Sequence, residues 1–124
     1  MNADAPWHAH IYFTDADRAA AAALRERFRA DPCVLFTGRM VDGPIGPHPV
    51  PQYEIHFLAS ARDAVIALIE ATGLRAIVHP LTDDDLADHT TLGHWIGDPV
   101  ELDTGVLDPP GVNQGLARFG TGDF

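Results

Sequence analysis

The sequence predicts an α+β domain of the ferredoxin-like kind: one four-stranded antiparallel sheet, two helices on one of its faces, and an extended C-terminal tail. Three observations predict it. Four segments carry the alternation or the short apolar runs of β-strands, and two carry helical spacing. Their order is β-α-β-β-α-β. The chain has 124 residues, 46% of them apolar, which is the size of one domain with a core of its own.

Trp7 to Phe13 reads as the first strand, with Ala9, Ile11 and Phe13 on one face and His8, His10 and Tyr12 on the other. Thr14 followed by Asp17 signals a helix start, and the helix runs to about Arg29, with Leu24 and Phe28 as its apolar stripe. Asp31-Pro32 ends it. Cys33 to Met40 is the second strand, and Cys33 is expected to be a small buried residue at its start. As the single cysteine it excludes an intrachain disulfide and any Cys-based metal motif. Asp42 to Pro51, with four prolines, is a loop.

Val50 to Leu58 is the third strand. Tyr53, Ile55 and Phe57 face the core, and Gln52, Glu54 and His56 point away. Ser60 with Asp63 is expected to cap a second helix, carried by Val65, Leu68 and Ile69 and stopped at Gly73. Leu74 to His79 is the fourth strand, closed by Pro80. Thr82 is a candidate cap for a short helix over Asp83 to His89. Residues 1–103 form the expected domain, and 104–124 a Gly/Pro-rich tail that wraps the domain or a partner.

Acidic residues outnumber basic ones 18 to 8, a formal charge of −10. Such a surface repels nucleic acid and anionic membrane. No apolar run reaches the roughly 20 residues of a membrane span, and Met1-Asn2-Ala3-Asp4 lacks the pattern of a signal peptide. A cytoplasmic protein is expected. A four-stranded sheet covered on one face leaves the other bare, which predicts a homodimer.

Seven histidines stand at 8, 10, 48, 56, 79, 89 and 94. His8 and His10 share a strand face with Cβ atoms about 7 Å apart, from a rise of about 3.4 Å per residue. Two such imidazoles can converge on one metal, or can simply be polar residues on a partly wet face. Topology favours the metal. In the strand order 4-1-3-2 the start of the first strand neighbours the ends of the third and fourth, so His8, His10, His56 and His79 meet at one edge of the open face. Glu54 shares that face as a candidate oxygen ligand. His48 is held between Pro47 and Pro49, and is either a site residue or an exposed loop histidine. His89 is a candidate ligand or proton-transfer group, or only the cation at a helix end. His94 reads as a loop packing residue beside Trp95. Trp7 and Trp95 are core anchors or aromatic walls of a pocket. Asp83, Asp84, Asp85 and Asp88 read as a solvated helix start. There is no phosphate-binding glycine loop and no nucleophile elbow.

The segments His8-Ala9-His10-Ile11-Tyr12-Phe13, Gly46-Pro47-His48-Pro49, Val78-His79-Pro80 and Asp88-His89-Thr90, followed by Trp95 and Gly97, resemble the motif series of bacterial members of the DOPA 4,5-dioxygenase family over residues 7 to 103. Glu54 and His56 lie outside these motifs. The resemblance implies a ferredoxin-like domain that tends to pair. It also implies cleavage of the catechol ring of L-DOPA by molecular oxygen with ferrous iron, and 4,5-cleavage gives a product able to cyclise toward betalamic acid.

The residues suit that chemistry. Extradiol cleavage needs a redox metal with few protein ligands and open positions. His8, His10 and His79 are the expected ligands of Fe(II), with zinc or another divalent ion able to replace it. His48 and His89 are expected to bind substrate and move protons, and His89 is alternatively a fourth ligand. Two rival readings stand beside this one: a non-catalytic metal- or small-molecule-binding dimer, and a structural ferredoxin-like domain without metal.

Overall fold

Strand β1 (Pro6–Tyr12) runs through the centre of a sheet whose neighbours come from distant parts of the chain. The computed structural model describes residues 3–121, so Met1, Asn2 and the last three residues of the expected tail lie outside the described residues. After β1 come α1 (Arg18–Arg29), β2 (Val34–Thr37), β3 (Gln52–Leu58), α2 (Arg62–Glu70), β4 (Ala76–Pro80), α3 (Asp85–His89), β5 (His94–Ile96) and α4 (Gln114–Arg118). The sheet order is β2-β3-β1-β4-β5, antiparallel throughout. This is the expected 4-1-3-2 order with one short strand, β5, added outside β4. His94 therefore lies in an edge strand, not in a loop.

Alternation decides the two faces. Trp7, Ala9, Ile11, Tyr53, Ile55, Phe57, Ala76 and Val78 point into the main core. There they meet Ala21, Leu24 and Phe28 of α1 and Val65, Ile66 and Ile69 of α2. Trp7 is thus a core anchor, with the Arg62 guanidinium 5.2 Å from its ring centre. Trp95 packs with Tyr12, Ile77 and Val100 on the opposite face.

Several local expectations are corrected. Cys33 is exposed and stands one residue before β2, its N–H donating to Asp31 Oδ1 in a turn. Ser60 does not cap α2; a 3-10 turn over Ala59–Ala61 leads into the helix, and no side chain caps it. Pro80 is the last residue of β4 and pairs with Trp7. Asp84, not Thr82, caps α3 by accepting from Ala87 N–H. At α1 the acidic residue of the helix-start signal does reach back, since the Thr14 N–H donates to Asp17.

The second sheet face is not bare. His8, His10, Gln52, Glu54, His56 and His79 are all 2% exposed or less. The loop of residues 42–51, α3 and the C-terminal segment cover them. That segment carries a 3-10 turn at Thr104–Val106 and the helix α4, and it folds over its own domain. Asn113 donates to Thr82 O and to Asp88, and the Asp108 N–H donates to Asp85. At its end the Phe119 ring stacks on His56 at 5.5 Å. The bare face that motivated a dimer is filled from within the chain.

Candidate functional site

The register of the three central strands builds the site. His8 pairs with His56 of β3 on one side and with His79 of β4 on the other, so three imidazoles stand in one row across the sheet. One rung along, His10 pairs with Glu54 and Ile77. The His8 and His56 rings stack at 3.8 Å, and the His8 and His79 rings meet at 5.4 Å.

The loop of residues 42–51 folds on itself through paired backbone hydrogen bonds between Ile45 and His48. This lays the His48 ring 4.1 Å from that of His10. α3 brings His89 to 4.2 Å from His79. The helix is anchored by Asp88, which is fully buried and accepts from Thr82 N–H, Thr82 Oγ1–H and Asn113 Nδ2–H. Burial pushes the Asp88 carboxyl up from its ordinary range, against the pull of the Thr82 hydrogen bonds. Asp84 and Asp88 thus have structural work, unlike the solvated helix start expected.

Partners fix the orientation of most of these rings. His79 Nδ1 donates to Pro80 O at 2.8 Å, and His89 Nδ1 donates to Asp85 O at 2.8 Å. His10 Nδ1 donates to Gln52 Oε1 at 3.1 Å. His48 Nδ1 is hydrogen-bonded to the Tyr12 hydroxyl at 2.7 Å. A carbonyl oxygen can only accept, so the Nδ1 atoms of His79 and His89 carry protons, and in the neutral form of either ring the lone pair sits on Nε2. Gln52 and Tyr12 were not singled out from the sequence as supports, although alternation had put both on the histidine face.

Burial, and then the neighbouring imidazoles, hold His8, His10, His48 and His79 well below the ordinary histidine pKa. These rings are neutral at neutral pH, the form that ligates metal. Ligand atoms of His8, His10 and His79 lie within 4.8 Å of one another, and so do those of His10, His48 and His89. Five histidines are therefore brought together around His10, and either group could hold a metal ion. Imidazoles held by one nitrogen on an oxygen acceptor, as in His10, His79 and His89, fit a divalent transition metal such as iron or zinc. All five line a cavity of about 260 Å³, which residues of the C-terminal segment, among them Asp108 and Arg118, also line. His56 sits behind His8. The exposed His94 and the two tryptophans lie outside the cavity lining.

Comparison with known proteins agrees with this arrangement. The chain is 37% identical to a DOPA 4,5-dioxygenase of Amanita muscaria, the match covering 73% of this chain and 44% of that protein. It is 30% identical to an uncharacterised 21.2 kDa protein of Botryotinia fuckeliana, over 79% of this chain and 61% of the relative. The chain thus spans about half the length of these curated relatives. A crystal structure of a candidate dioxygenase from Nostoc punctiforme superposes with a TM-score of 0.77 at 38% identity, covering 82% of this chain and 90% of that one. The model of the Dopa 4,5-dioxygenase family matches residues 7–106, a span that holds all five clustered histidines. With fold, sequence and histidine cluster in agreement, the chain belongs to the Dopa 4,5-dioxygenase family.

Proposed function

We propose that the chain is a metal-dependent extradiol dioxygenase that cleaves a catechol ring, such as that of DOPA, with molecular oxygen. The observation that carries the reading is the convergence of five buried histidines on one cavity in a chain of this family. His8, His10 and His79 are the proposed ligands of Fe(II). Such an ion supplies the redox chemistry that lets dioxygen react with a catechol. Both oxygen atoms enter the product, and the carbon–carbon bond beside the diol breaks.

The chain's own residues do the rest. His48 and His89 flank His10 and are the proposed proton-transfer groups, taking a proton from a catechol hydroxyl and returning it to the opened product. Burial keeps His48 neutral and able to accept that proton. Residues of the C-terminal segment, Asn113 and Arg118 among them, line the same cavity. No described helix is long and apolar enough to cross a membrane. A cytoplasmic location, the homodimer implied by the family resemblance, and a domain over 1–103 with 104–124 as its tail belong to the same proposal.

The test is direct. Metal-free protein is loaded with ferrous iron under anaerobic conditions, mixed with L-DOPA, and exposed to oxygen. A yellow ring-cleavage product with one oxygen molecule consumed per catechol is expected, and His10→Ala should give none. Iron bound at full occupancy without oxygen uptake on any catechol supplied would leave the protein a metal-binding module.

A further inference from the structure

Beside the cluster stands a second group of buried donors, His8, Glu54 and His56, whose ligand atoms also lie within 4.8 Å of one another. Two histidines and a carboxylate form an iron-binding set in their own right. Hydrogen bonding assigns them a different role. The Gly120 N–H donates to His56 Nδ1 at 2.9 Å. That nitrogen therefore holds a lone pair, and the neutral ring carries its proton on Nε2. His56 Nε2 lies 3.5 Å from Glu54 Oε1 and has no hydrogen-bond partner among the described residues. A protonated nitrogen cannot ligate. With Gly120 in place, His56 would bind a cation only as an imidazolate.

On the other side of the carboxylate, Oε2 lies 3.7 Å from His8 Nδ1, within ion-pair reach but longer than a hydrogen bond. A proton on that nitrogen leaves the lone pair of His8 on Nε2, the pattern that His79 adopts against Pro80 O and His10 against Gln52. The stack completes the arrangement. His8 lies on His56 with 9° between their planes, and Phe119 lies on His56 with 10° between theirs. Gly120 and Phe119 fall beyond the span that the family model matches.

We propose that Glu54 is a positioning residue, an acceptor set between two N–H donors, Nε2 of His56 and Nδ1 of His8, which orients His8 to present Nε2 to the metal. The proposal rests on the reading above in one respect, that His8 is a ligand. Only a carboxylate serves here. Both of its oxygens accept, whereas a glutamine would turn its NH₂ group toward one of the two donors. The C-terminal segment acts through the same chain of contacts, because the Gly120 N–H sets which nitrogen of His56 faces Glu54.

The experiment is a zinc competition titration against a chromophoric chelator, on metal-free wild type, Glu54→Gln and His56→Phe. Thermal melts of the three metal-free proteins accompany it. Wild type is expected to bind one ion per chain. Glu54→Gln should still bind one, about 10- to 100-fold more weakly, the usual effect of removing the partner of a ligating histidine. His56→Phe keeps the stack but removes the Nε2–H, and should lose several-fold. Wild-type affinity in Glu54→Gln overturns the proposal. So does a stoichiometry of two ions that falls to one in either variant, since the trio would then be a cation site of its own. If Glu54→Gln does not fold, unchanged affinity in His56→Phe overturns it equally. A wild-type chain that binds no zinc removes both the proposal and the function it rests on. Binding without ring cleavage removes only the function.

Discussion

Nε2 of His10 lies 3.1 Å from Nε2 of His79, and each ring has already committed its N–H to an oxygen acceptor on its other side. Two neutral imidazoles so held point lone pairs at one another. A proton shared between them would relieve the repulsion, but burial disfavours the imidazolium at both positions. A metal cation bound there would relieve it, the bonds to both lone pairs offsetting the ion's own desolvation. The pair, with His8, is a group that could hold a metal ion.

The first prediction follows from that pair. Ion binding to the folded state raises stability by mass action, about 2.7 kcal/mol at a free metal concentration 100-fold above Kd. Zinc or anaerobic ferrous iron should therefore raise the melting temperature by several degrees. In His79→Ala the rise should vanish, while the metal-free variant melts close to, or above, the metal-free wild type, because the repulsive pair is gone. Differential scanning calorimetry with and without metal checks both statements.

The second prediction concerns pH. His8, His10, His48 and His79 titrate well below the ordinary value in the folded chain and near about 6.5 when unfolded. The unfolded state thus binds more protons once the pH drops below that value. The stability these groups contribute is fully present above about pH 6.5 and is lost as the pH falls toward their folded pKa values. Each contributes a slope of up to about 1.4 kcal/mol per pH unit in that window. Urea melts of metal-free protein at pH 7.5, 6.5 and 5.5 should show little change over the first step and a steep loss over the second. A flat profile would mean that the buried imidazoles titrate normally.

How much of this was legible in the sequence depends on the range of the interactions. The alternation of β1 placed His8, His10 and Tyr12 on one face, because a pleated strand has no other option. The row His56–His8–His79 followed from strand order, which the β-α-β-β-α-β pattern limits strongly. β5 was not legible, since three residues, His94–Ile96, are too few to show a period. The burial of Asp88 and the cover over the histidines were not legible either. They depend on Asn113, Phe119 and Gly120 meeting partners 25 to 64 residues away, in a segment without periodicity. Cys33 misled because apolar character argues for burial, while the turn after Asp31-Pro32 holds it at the surface.

The third prediction tests that cover. Asn113 Nδ2 donates both to Thr82 O at 2.6 Å and to the buried Asp88 carboxylate at 3.1 Å. Asn113→Asp replaces a donor by an acceptor facing another carboxylate. It should destabilise the chain by about 1–3 kcal/mol at neutral pH, the cost of unpaired buried polar groups. The loss should shrink as the pH falls and one of the two carboxyls protonates. Asn113→Ala should lose less at pH 7. Limited proteolysis should cut both variants first within the C-terminal segment, which this residue pins to α3.

The last prediction separates proton transfer from metal binding. His48 is held by the Tyr12 hydroxyl, and burial keeps that hydroxyl protonated far above neutral pH. His48 is therefore fixed in place in the wall of the cavity that its ring lines. If it takes the catechol proton, His48→Gln should keep one metal per chain with near-wild-type affinity yet lower kcat by about 10²- to 10⁴-fold, the usual weight of general acid–base catalysis. Tyr12→Phe removes only the support and should give a smaller loss. If His48 is a ligand in its group with His10 and His89, metal affinity and kcat will fall together. Metal content and kcat measured on the same preparations distinguish the two, because only a proton-transfer role leaves the ion in place.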